Sequence, residues 1–178
     1  VLQNVTEISV KQKEHTIKEG NTIKVEAFAM PENAENRALT WQSSDESIVT
    51  VNNNGEIKAL RLGEAEIIIS SVYTKGVSAK LKITVTRSVA GITINKTLAE
   101  TNVRGKVILE ATVSPADATN QKLVWTSSDE KIATVENGVV TAKYPGTTKI
   151  KAVALDGTEK SAVCIVSVTQ AVTGITLP

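Results

Sequence analysis

Hydrophobic and polar residues alternate along most of this chain, with an apolar side chain at every second position. In the first clear run, the apolar positions are Ile23, Val25, Ala27 and Ala29. The same alternation occurs over residues 79–85. This period is typical of β-strands that bury one face and expose the other.

The alternating pattern occurs twice. Residues 41–51 read WQSSDESIVTV, and residues 125–135, which begin 84 positions later, read WTSSDEKIATV. The match extends over residues 5–86 and 89–169, with one residue deleted in the second copy. An internal repeat of this length predicts two copies of one small domain.

The repeat predicts a tandem organisation of the chain. We expect one domain at residues 1–87 and a second at residues 88–170. The closing VTGITLP resembles VAGITINK at the start of the second copy, so residues 171–178 are predicted to begin a third copy. The pattern is cut at both ends, so we expect a piece of a longer protein, with any targeting segment outside it.

The predicted connection between the two domains is short. Only Arg87-Ser88 separates the last strand of the first copy from Val89, and neither residue is Gly or Pro. A linker of this length restricts the movement of the two domains relative to each other. We therefore expect an end-to-end pair with limited swivel.

Turn signals divide each copy into short strands. Asn53-Asn54-Gly55 and Asn137-Gly138 predict hairpins in which both central residues tolerate positive φ. Pro31 and Pro115 are expected to end the long alternating strand of each copy. The prediction is an all-β fold of two immunoglobulin-like sandwiches, each with about seven short antiparallel strands. A single helical turn is expected at residues 43–47.

Composition and charge exclude several classes of function. The chain has 20 basic and 19 acidic residues, a balance that does not suggest a nucleic-acid partner. Cys164 is the only cysteine, so neither an intrachain disulfide nor a cysteine-based metal site is possible. The longest aliphatic run, Ile67–Ile69, is too short to span a membrane, so no membrane insertion by this segment is expected.

Two repeated features are candidates for chemistry. Trp41 and Trp125 are possible platforms for sugar stacking, but an apolar residue two positions earlier favours an indole that points into the core. The Ser-Ser-Asp-Glu segments, residues 43–46 and 127–130, resemble a serine–aspartate pair. A serine nucleophile needs a neighbouring base, and the only histidine, His15, has no counterpart in the second copy. We therefore favour structural turns and predict no catalytic residues.

Metal binding is not expected from the acidic residues. The four aspartates form no calcium-loop motif, and Asp156-Gly157 is predicted to be a hairpin tip. Loop carboxylates such as Glu7 or Asp117 remain the alternative for a cation site. Cys164 takes the position of Leu81, which predicts a buried, inert thiol. No cofactor is predicted.

Other possible contact residues are scattered along the chain. Asn4-Val5-Thr6 and Asn95-Lys96-Thr97 are formal glycosylation triplets that we attribute to chance. Phe28, Tyr73 and Tyr144 are expected to be exposed, but their different positions in the two copies do not predict a shared platform.

The order of these motifs resembles a known family. Each copy opens on V-x-x-I, continues through W-x-S-S-D-E-x-I and N-G to a Gly before the next strand, and closes on an alternating strand that ends V-T. This pattern resembles the bacterial immunoglobulin-like domain, group 2. The chain departs from this pattern at Pro145, where the first copy has Leu62, and at Val49, where the second copy has the commoner Ala133.

The resemblance implies an immunoglobulin-type sandwich without the antibody disulfide and without shared catalytic residues. It implies a non-catalytic spacer and adhesion module of a bacterial cell-surface or secreted protein, extracellular and monomeric. The alternatives are a module that binds carbohydrate or a host protein, and an accessory domain of a secreted glycan-degrading enzyme.

Overall fold

The computed structural model of this chain describes residues 3–170 and residue 174. The chain divides into two compact units, Val1–Arg87 and Ser88–Pro178. Within the described residues every regular element is a β-strand, and no helix is long and apolar enough to cross a membrane. The predicted start of a third copy lies outside the described residues, apart from Gly174.

The first unit is a sandwich of short sheets. Its strands are β1 Glu7–Val10, β2 Glu14–Lys18, β3 Thr22–Lys24, β4 Ala27–Met30, β5 Leu39–Ser43, β6 Val49–Val51, β7 Glu56–Ala59, β8 Gly63–Ser71 and β9 Ser78–Thr86. A four-stranded sheet has the order β2-β9-β8-β5, and a three-stranded sheet has the order β3-β7-β6. Strands β1 and β4 pair with each other.

The second unit repeats this arrangement strand for strand. Its strands are β10 Gly91–Ile94, β11 Leu98–Asn102, β12 Lys106–Ile108, β13 Ala111–Ser114, β14 Leu123–Ser127, β15 Ala133–Glu136, β16 Val139–Ala142, β17 Gly146–Ala154 and β18 Ser161–Thr169. The sheets have the orders β11-β18-β17-β14, β12-β16-β15 and β10-β13.

Among the described residues, the prediction of about seven strands per copy is corrected to nine. The first alternating segment is not one strand, because β3 ends at Lys24 and β4 begins at Ala27. The N–H of Val25 donates to the carbonyl of Gly55 at 2.8 Å, and the chain then leaves β7 and pairs with β1. The segment before it also forms two strands with different partners, β1 beside β4 and β2 beside β9. Alternation continues across such a change of partner, so the pattern does not reveal it.

The prediction that all strands are antiparallel is also corrected. Strand β2 runs parallel to β9, and β11 runs parallel to β18. In each unit the first strand, β1 or β10, pairs with β4 or β13. The second strand, β2 or β11, belongs to the four-stranded sheet and lies beside the last strand, β9 or β18. The period of two fixes which face is buried but carries no information about strand direction.

Each unit has an aliphatic core between its two main sheets. The first core is built from fully buried residues such as Ile57, Ile67, Ile69, Leu81 and Ile83. In the second core, Val140, Ile150, Cys164 and Val166 are buried. All but Cys164 are aliphatic, as expected for a chain with so few aromatic residues. Pro31 and Pro115 follow the last residues of β4 and β13, which confirms the predicted strand ends.

The deleted residue of the second copy lies in the hairpin. Asn137 and Gly138 have φ of 48° and 84° and form the predicted two-residue turn between β15 and β16. In the first copy, the N–H of Gly55 donates to the carbonyl of Asn52 at 3.0 Å, and only Gly55 has positive φ, 75°. The first hairpin is therefore the three-residue type, and the prediction of two positive-φ residues is wrong there.

Candidate functional site

The Ser-Ser-Asp-Glu segments form turns, as predicted. In the first unit, Oδ1 of Asp45 accepts hydrogen bonds from the N–H of Ser47 at 2.9 Å and from its hydroxyl at 2.6 Å. The hydroxyl of Ser43 accepts from the N–H of Asp45 at 3.2 Å. His15 lies in β2 opposite Ile83, and none of these hydrogen bonds involves it. These hydrogen bonds close a turn, and none of them joins Ser43 to a base.

The second copy stabilises the same turn with an additional polar residue. Thr148, which takes the place of Ala65, is buried, and its hydroxyl lies 3.0 Å from Oγ of Ser127 and 3.1 Å from Oγ of Ser128. It also accepts from the N–H of Asp129 at 3.0 Å. Because each group has a partner, Thr148 is accommodated in the core. Sequence reasoning missed this network, since a threonine among alternating residues carries no specific signal.

The two tryptophans face the cores, as predicted, but neither is fully enclosed. Trp41 packs against the first core and Trp125 against the second, and both are partly buried. In each unit the indole lies against the hairpin glycine: a Cβ built on Gly55 or on Gly138 would be 3.3 Å from Cζ2 of the indole.

The acidic candidates do not form a cation site among the described residues. Glu7 lies in β1 opposite Met30, so its assignment to a loop is wrong, and Asp117 lies in the turn after β13. Within the part of the chain that the structure describes, no three His, Cys, Asp or Glu side chains lie close enough together to hold a metal ion.

Cys164 is completely buried in β18. Burial raises the pKa of its thiol above the ordinary value, although the charge of Lys96 acts in the opposite direction. A nucleophilic or metal-binding cysteine needs the thiolate, which burial disfavours. The structure therefore supports the expectation of an inert core residue.

The aromatic side chains predicted to be exposed are exposed. The exposed fraction is 49% for Phe28, 63% for Tyr73 and 66% for Tyr144. Of the two glycosylation triplets, the second contains Asn95, whose side-chain oxygen accepts a hydrogen bond from the N–H of Glu110 at 3.0 Å. Asn95 thus has a structural role inside its own unit.

Two interactions near the connection between the copies were not foreseen. In the first unit, Arg87 donates from Nε and Nη2 to the two carboxylate oxygens of Glu19, at 2.6 and 2.5 Å. In the second unit, the N–H of Val89 donates to Oδ2 of Asp156 at 2.6 Å. Oδ1 of Asp156 accepts from the N–H of Thr158 at 3.0 Å, which closes the predicted turn at Asp156-Gly157. We call these two interactions, Arg87 with Glu19 and Val89 with Asp156, the anchors; each joins residues of a single unit.

Neither anchor has a counterpart in the other copy. The positions of Glu19 and Arg87 are occupied by Val103 and Gln170 in the second copy, and the position of Asp156 is occupied by Tyr73 in the first. A comparison of the two copies could have identified these residues as different, but it could not have paired them, because Glu19 and Arg87 are far apart in sequence.

This chain is similar in sequence to parts of several longer proteins. It is 30% identical to an uncharacterized protein of Clostridium acetobutylicum over 93% of this chain and 17% of that protein. It is 32% identical to an Ig-like virion protein of Serratia phage KSP90 over 84% of this chain and 59% of that protein. It is 29% identical to an alpha-L-arabinofuranosidase of Bifidobacterium longum over 68% of this chain and 12% of that enzyme. The chain thus spans less than two thirds of the length of each of these relatives.

Solved structures show the same fold at low sequence identity. Sidekick-1 immunoglobulin domains 1–4 superpose with a TM-score of 0.58 at 12% identity, covering 92% of this chain and 49% of that one. A C-terminal fragment of intimin, solved with an intimin-binding domain of its receptor, gives a TM-score of 0.50 at 18% identity and covers 93% and 64% of the two chains. Both similarities support the immunoglobulin-like sandwich.

The family comparison agrees with the repeat, the fold and the motifs. The description "Bacterial Ig-like domain (group 2)" matches residues 4–85 and again residues 88–166. This chain therefore belongs to the bacterial Ig-like group 2 family and contains two of its domains.

Proposed function

We propose that this chain is a non-catalytic spacer and adhesion module of a bacterial surface or secreted protein. Its two domains, residues 1–87 and 88–170, would hold a distal binding or catalytic part of the parent protein at a distance from its attachment point. The proposal includes a monomeric state and an extracellular location. Two observations on the described residues support the proposal: no three His, Cys, Asp or Glu side chains lie close enough together to hold a metal ion, and Cys164 is buried.

The observation that carries this proposal is the anchoring of the connecting residues. The guanidinium of Arg87 is held by Glu19 in the first unit, and the N–H of Val89 is held by Asp156 in the second. Between these anchored residues lies only Ser88. A spacer needs a connection with little freedom, because each freely rotating residue adds conformational entropy that must be lost when the spacer is extended.

The proposal predicts an elongated particle, which small-angle X-ray scattering of the two-repeat chain tests directly. The expected result is a distance distribution with a long tail and a maximum dimension near the summed lengths of two sandwiches. Light scattering should give the mass of one chain. A compact distribution typical of a globular protein of this mass would contradict the spacer role, and a dimer mass would contradict the monomeric state.

The surface or extracellular setting is supported by the family and by its relatives. Group 2 bacterial Ig-like domains match nearly the whole length of both repeats, and one relative is a virion protein. Detection of the parent protein in the cell-surface or secreted fraction of the source bacterium, with an antibody against these repeats, tests the location. Recovery in the cytosolic fraction alone would contradict it.

A second candidate function is an accessory domain of a glycan-acting enzyme. The observation that favours it is the similarity to segments of bifidobacterial proteins, an alpha-L-arabinofuranosidase and a lacto-N-biosidase, the latter 32% identical over 44% of this chain. If this holds, the parent gene encodes a glycosidase domain beside the repeats. Excision of the repeats should then lower activity on insoluble glycan more than on a soluble substrate. An equal effect of the excision on both substrates would contradict an accessory role.

A further inference from the structure

The first unit contains a groove lined by charged and aromatic side chains. It has a volume of about 300 Å³ and lies where the loop after β1 passes the break between β3 and β4. Its polar and aromatic lining is Lys11, Gln12, His15, Lys24, Glu26 and Phe28. A volume near the lower end of the range for small-molecule sites, roughly 300–1,000 Å³, suits a small ligand.

In the second copy, two hydrogen bonds join the corresponding segments. The N–H of Asn95 donates to the carbonyl of Glu110 at 2.9 Å, and the Asn95 side-chain oxygen accepts from the N–H of Glu110 at 3.0 Å. The segments that these two bonds join in the second copy correspond to the two sides of the groove in the first copy. Lys11 stands at the position of Asn95, and an ammonium group cannot accept a hydrogen bond. In the described part of the first unit, no hydrogen bond joins Lys11 to Glu26.

The chemical character of the groove is also specific to the first copy. The positions of its two lysines, its histidine and its phenylalanine are occupied in the second copy by Asn95, Ile108, Ala99 and Thr112. The two repeats have the same fold, so these four side chains are not needed to build the sandwich.

His15 has a ring nitrogen without a hydrogen-bond partner among the described residues. This atom, Nε2, is shielded from solvent. A buried ring nitrogen without a partner is uncommon and costs free energy, because it gives up its bonds to water without replacing them. His15 is also one of the residues that line the groove.

We propose that this groove binds a carboxylate-bearing sugar unit, such as a uronic or sialic acid residue of a glycan. Lys11 and Lys24 supply cations for the carboxylate. Phe28, which is about half exposed, offers its ring to the apolar C–H face of the sugar. The Glu26 carboxylate only accepts hydrogen bonds, which suits sugar hydroxyl groups, and Gln12 can donate or accept. An acidic peptide would satisfy the lysines but would bring few hydroxyl donors for Glu26.

The test is an amide NMR titration of the intact two-repeat chain. The probes are a galacturonic acid trisaccharide and sialyllactose, which distinguish the two sources of a sugar carboxylate. Lactose, acetate and an acetylated triglutamate peptide are the reference ligands. We expect saturable shifts for residues 11–28 with at least one acidic sugar, and at least tenfold weaker binding of all three reference ligands. Failure of both acidic sugars to shift these residues, or equal binding of any reference ligand, would overturn the proposal.

The second repeat provides substitutions that the fold already tolerates. Phe28→Thr and Lys24→Ile each place the residue of the second copy into the groove and should weaken binding of the acidic sugar at least tenfold. Tyr73→Ser, which removes an exposed aromatic residue outside the groove, is the matched control and should leave binding unchanged. Unaltered binding by both groove variants, with their amide spectra showing a folded protein, would refute the site. The result does not depend on the spacer role, which the scattering experiment tests separately.

Discussion

Arg87 and Glu19 form a bidentate ion pair at the end of the first unit, in which Nε and Nη2 of the arginine donate to the two carboxylate oxygens. Both side chains are about three-quarters buried. Because a guanidinium and a carboxylate matched in this way fix orientation as well as distance, the pair holds the chain in place immediately before Ser88.

Arg87→Ala is therefore expected to loosen the connection more than it destabilises the domain. The free energy of unfolding of the first unit should fall by about 1 kcal/mol or less, as for other partly exposed ion pairs. Backbone ¹⁵N relaxation should show increased fast motion at residues 86–88. Gln170→Ala, at the matching position of the second copy, is the control. Unchanged relaxation at residues 86–88 in the Arg87 variant would contradict an anchoring role.

The hairpin glycine Gly138 is predicted to be required for two separable reasons. It has φ of 84°, and a Cβ there would lie 2.3 Å from the carbonyl oxygen of Leu109. Gly157 has φ of 82°, but a Cβ at that position would meet only open space. Gly157→Ala should therefore cost about 1–2 kcal/mol for the backbone conformation alone. Gly138→Ala should cost more, because the carbonyl must also move.

Urea unfolding measures this difference. Trp125 fluorescence reports on the second unit alone when Trp41 is replaced by Phe, so both glycine variants are compared in the Trp41→Phe background. Equal losses for Gly138→Ala and Gly157→Ala would show that the contact with the Leu109 carbonyl has no energetic consequence.

Trp125→Ala is predicted to destabilise the second unit substantially. The indole packs on the core and on the hairpin glycine, but it is only partly buried, so we expect about 3 kcal/mol, the low end of the usual range for this truncation. Thermal unfolding followed by circular dichroism measures the loss, and Trp125→Phe, which keeps an aromatic ring, should lose less. An equally stable Trp125→Ala protein that had lost only ligand binding would mean that the indole is a binding platform.

The turn at Asp45 predicts a specific pH dependence. The hydrogen bond from the Ser47 hydroxyl, followed by the one from its N–H, holds the pKa of Asp45 below the ordinary value of 3.8. Because the folded-state pKa is lowered, the stabilisation is fully present above pH 3.8 and is lost as the pH falls through the folded-state pKa. Ser47→Ala should raise the pKa of Asp45 towards 3.8, while Ser47→Thr should preserve it.

An NMR titration of the Asp45 carboxyl carbon decides this prediction. The same pKa in the wild-type protein and in Ser47→Ala would show that the hydroxyl does not stabilise the carboxylate. The Thr variant separates the loss of the hydroxyl from any general change in the turn.

Several features of the fold could be predicted because they depend on neighbouring residues. The period of two identified the buried faces of β9 and β18, and Asn137-Gly138 identified a tight hairpin, since strand pleat and turn geometry are local properties. The change of partner at Val25 could not be predicted, because it depends on the distant carbonyl of Gly55. The hairpin of the first copy differs from the prediction because one additional residue changes which positions need positive φ.

Residues far apart in sequence decide the features that bear on function. Thr148 and the Ser127 turn, Glu19 and Arg87, and Val89 and Asp156 meet only when distant strands come together. The groove likewise depends on the loop after β1 passing beside the break before β4. No single one of these segments carries a pattern that differs from ordinary polar surface.

Repetition, alternation and turn chemistry were sufficient to establish that the chain contains two copies of one β-sandwich, where their buried faces lie, and that the Ser-Ser-Asp-Glu segments are turns. Alternation and turn chemistry depend on residues that are close together in the sequence, and repetition is visible when the two copies are compared. The folded arrangement was needed to show which strands run parallel, that the residues on either side of Ser88 are anchored, and that a cationic groove with one aromatic wall opens in the first copy. Those features depend on side chains and backbone groups that folding brings together, because hydrogen bonds and charges act over a few ångströms in space, whatever the separation in sequence.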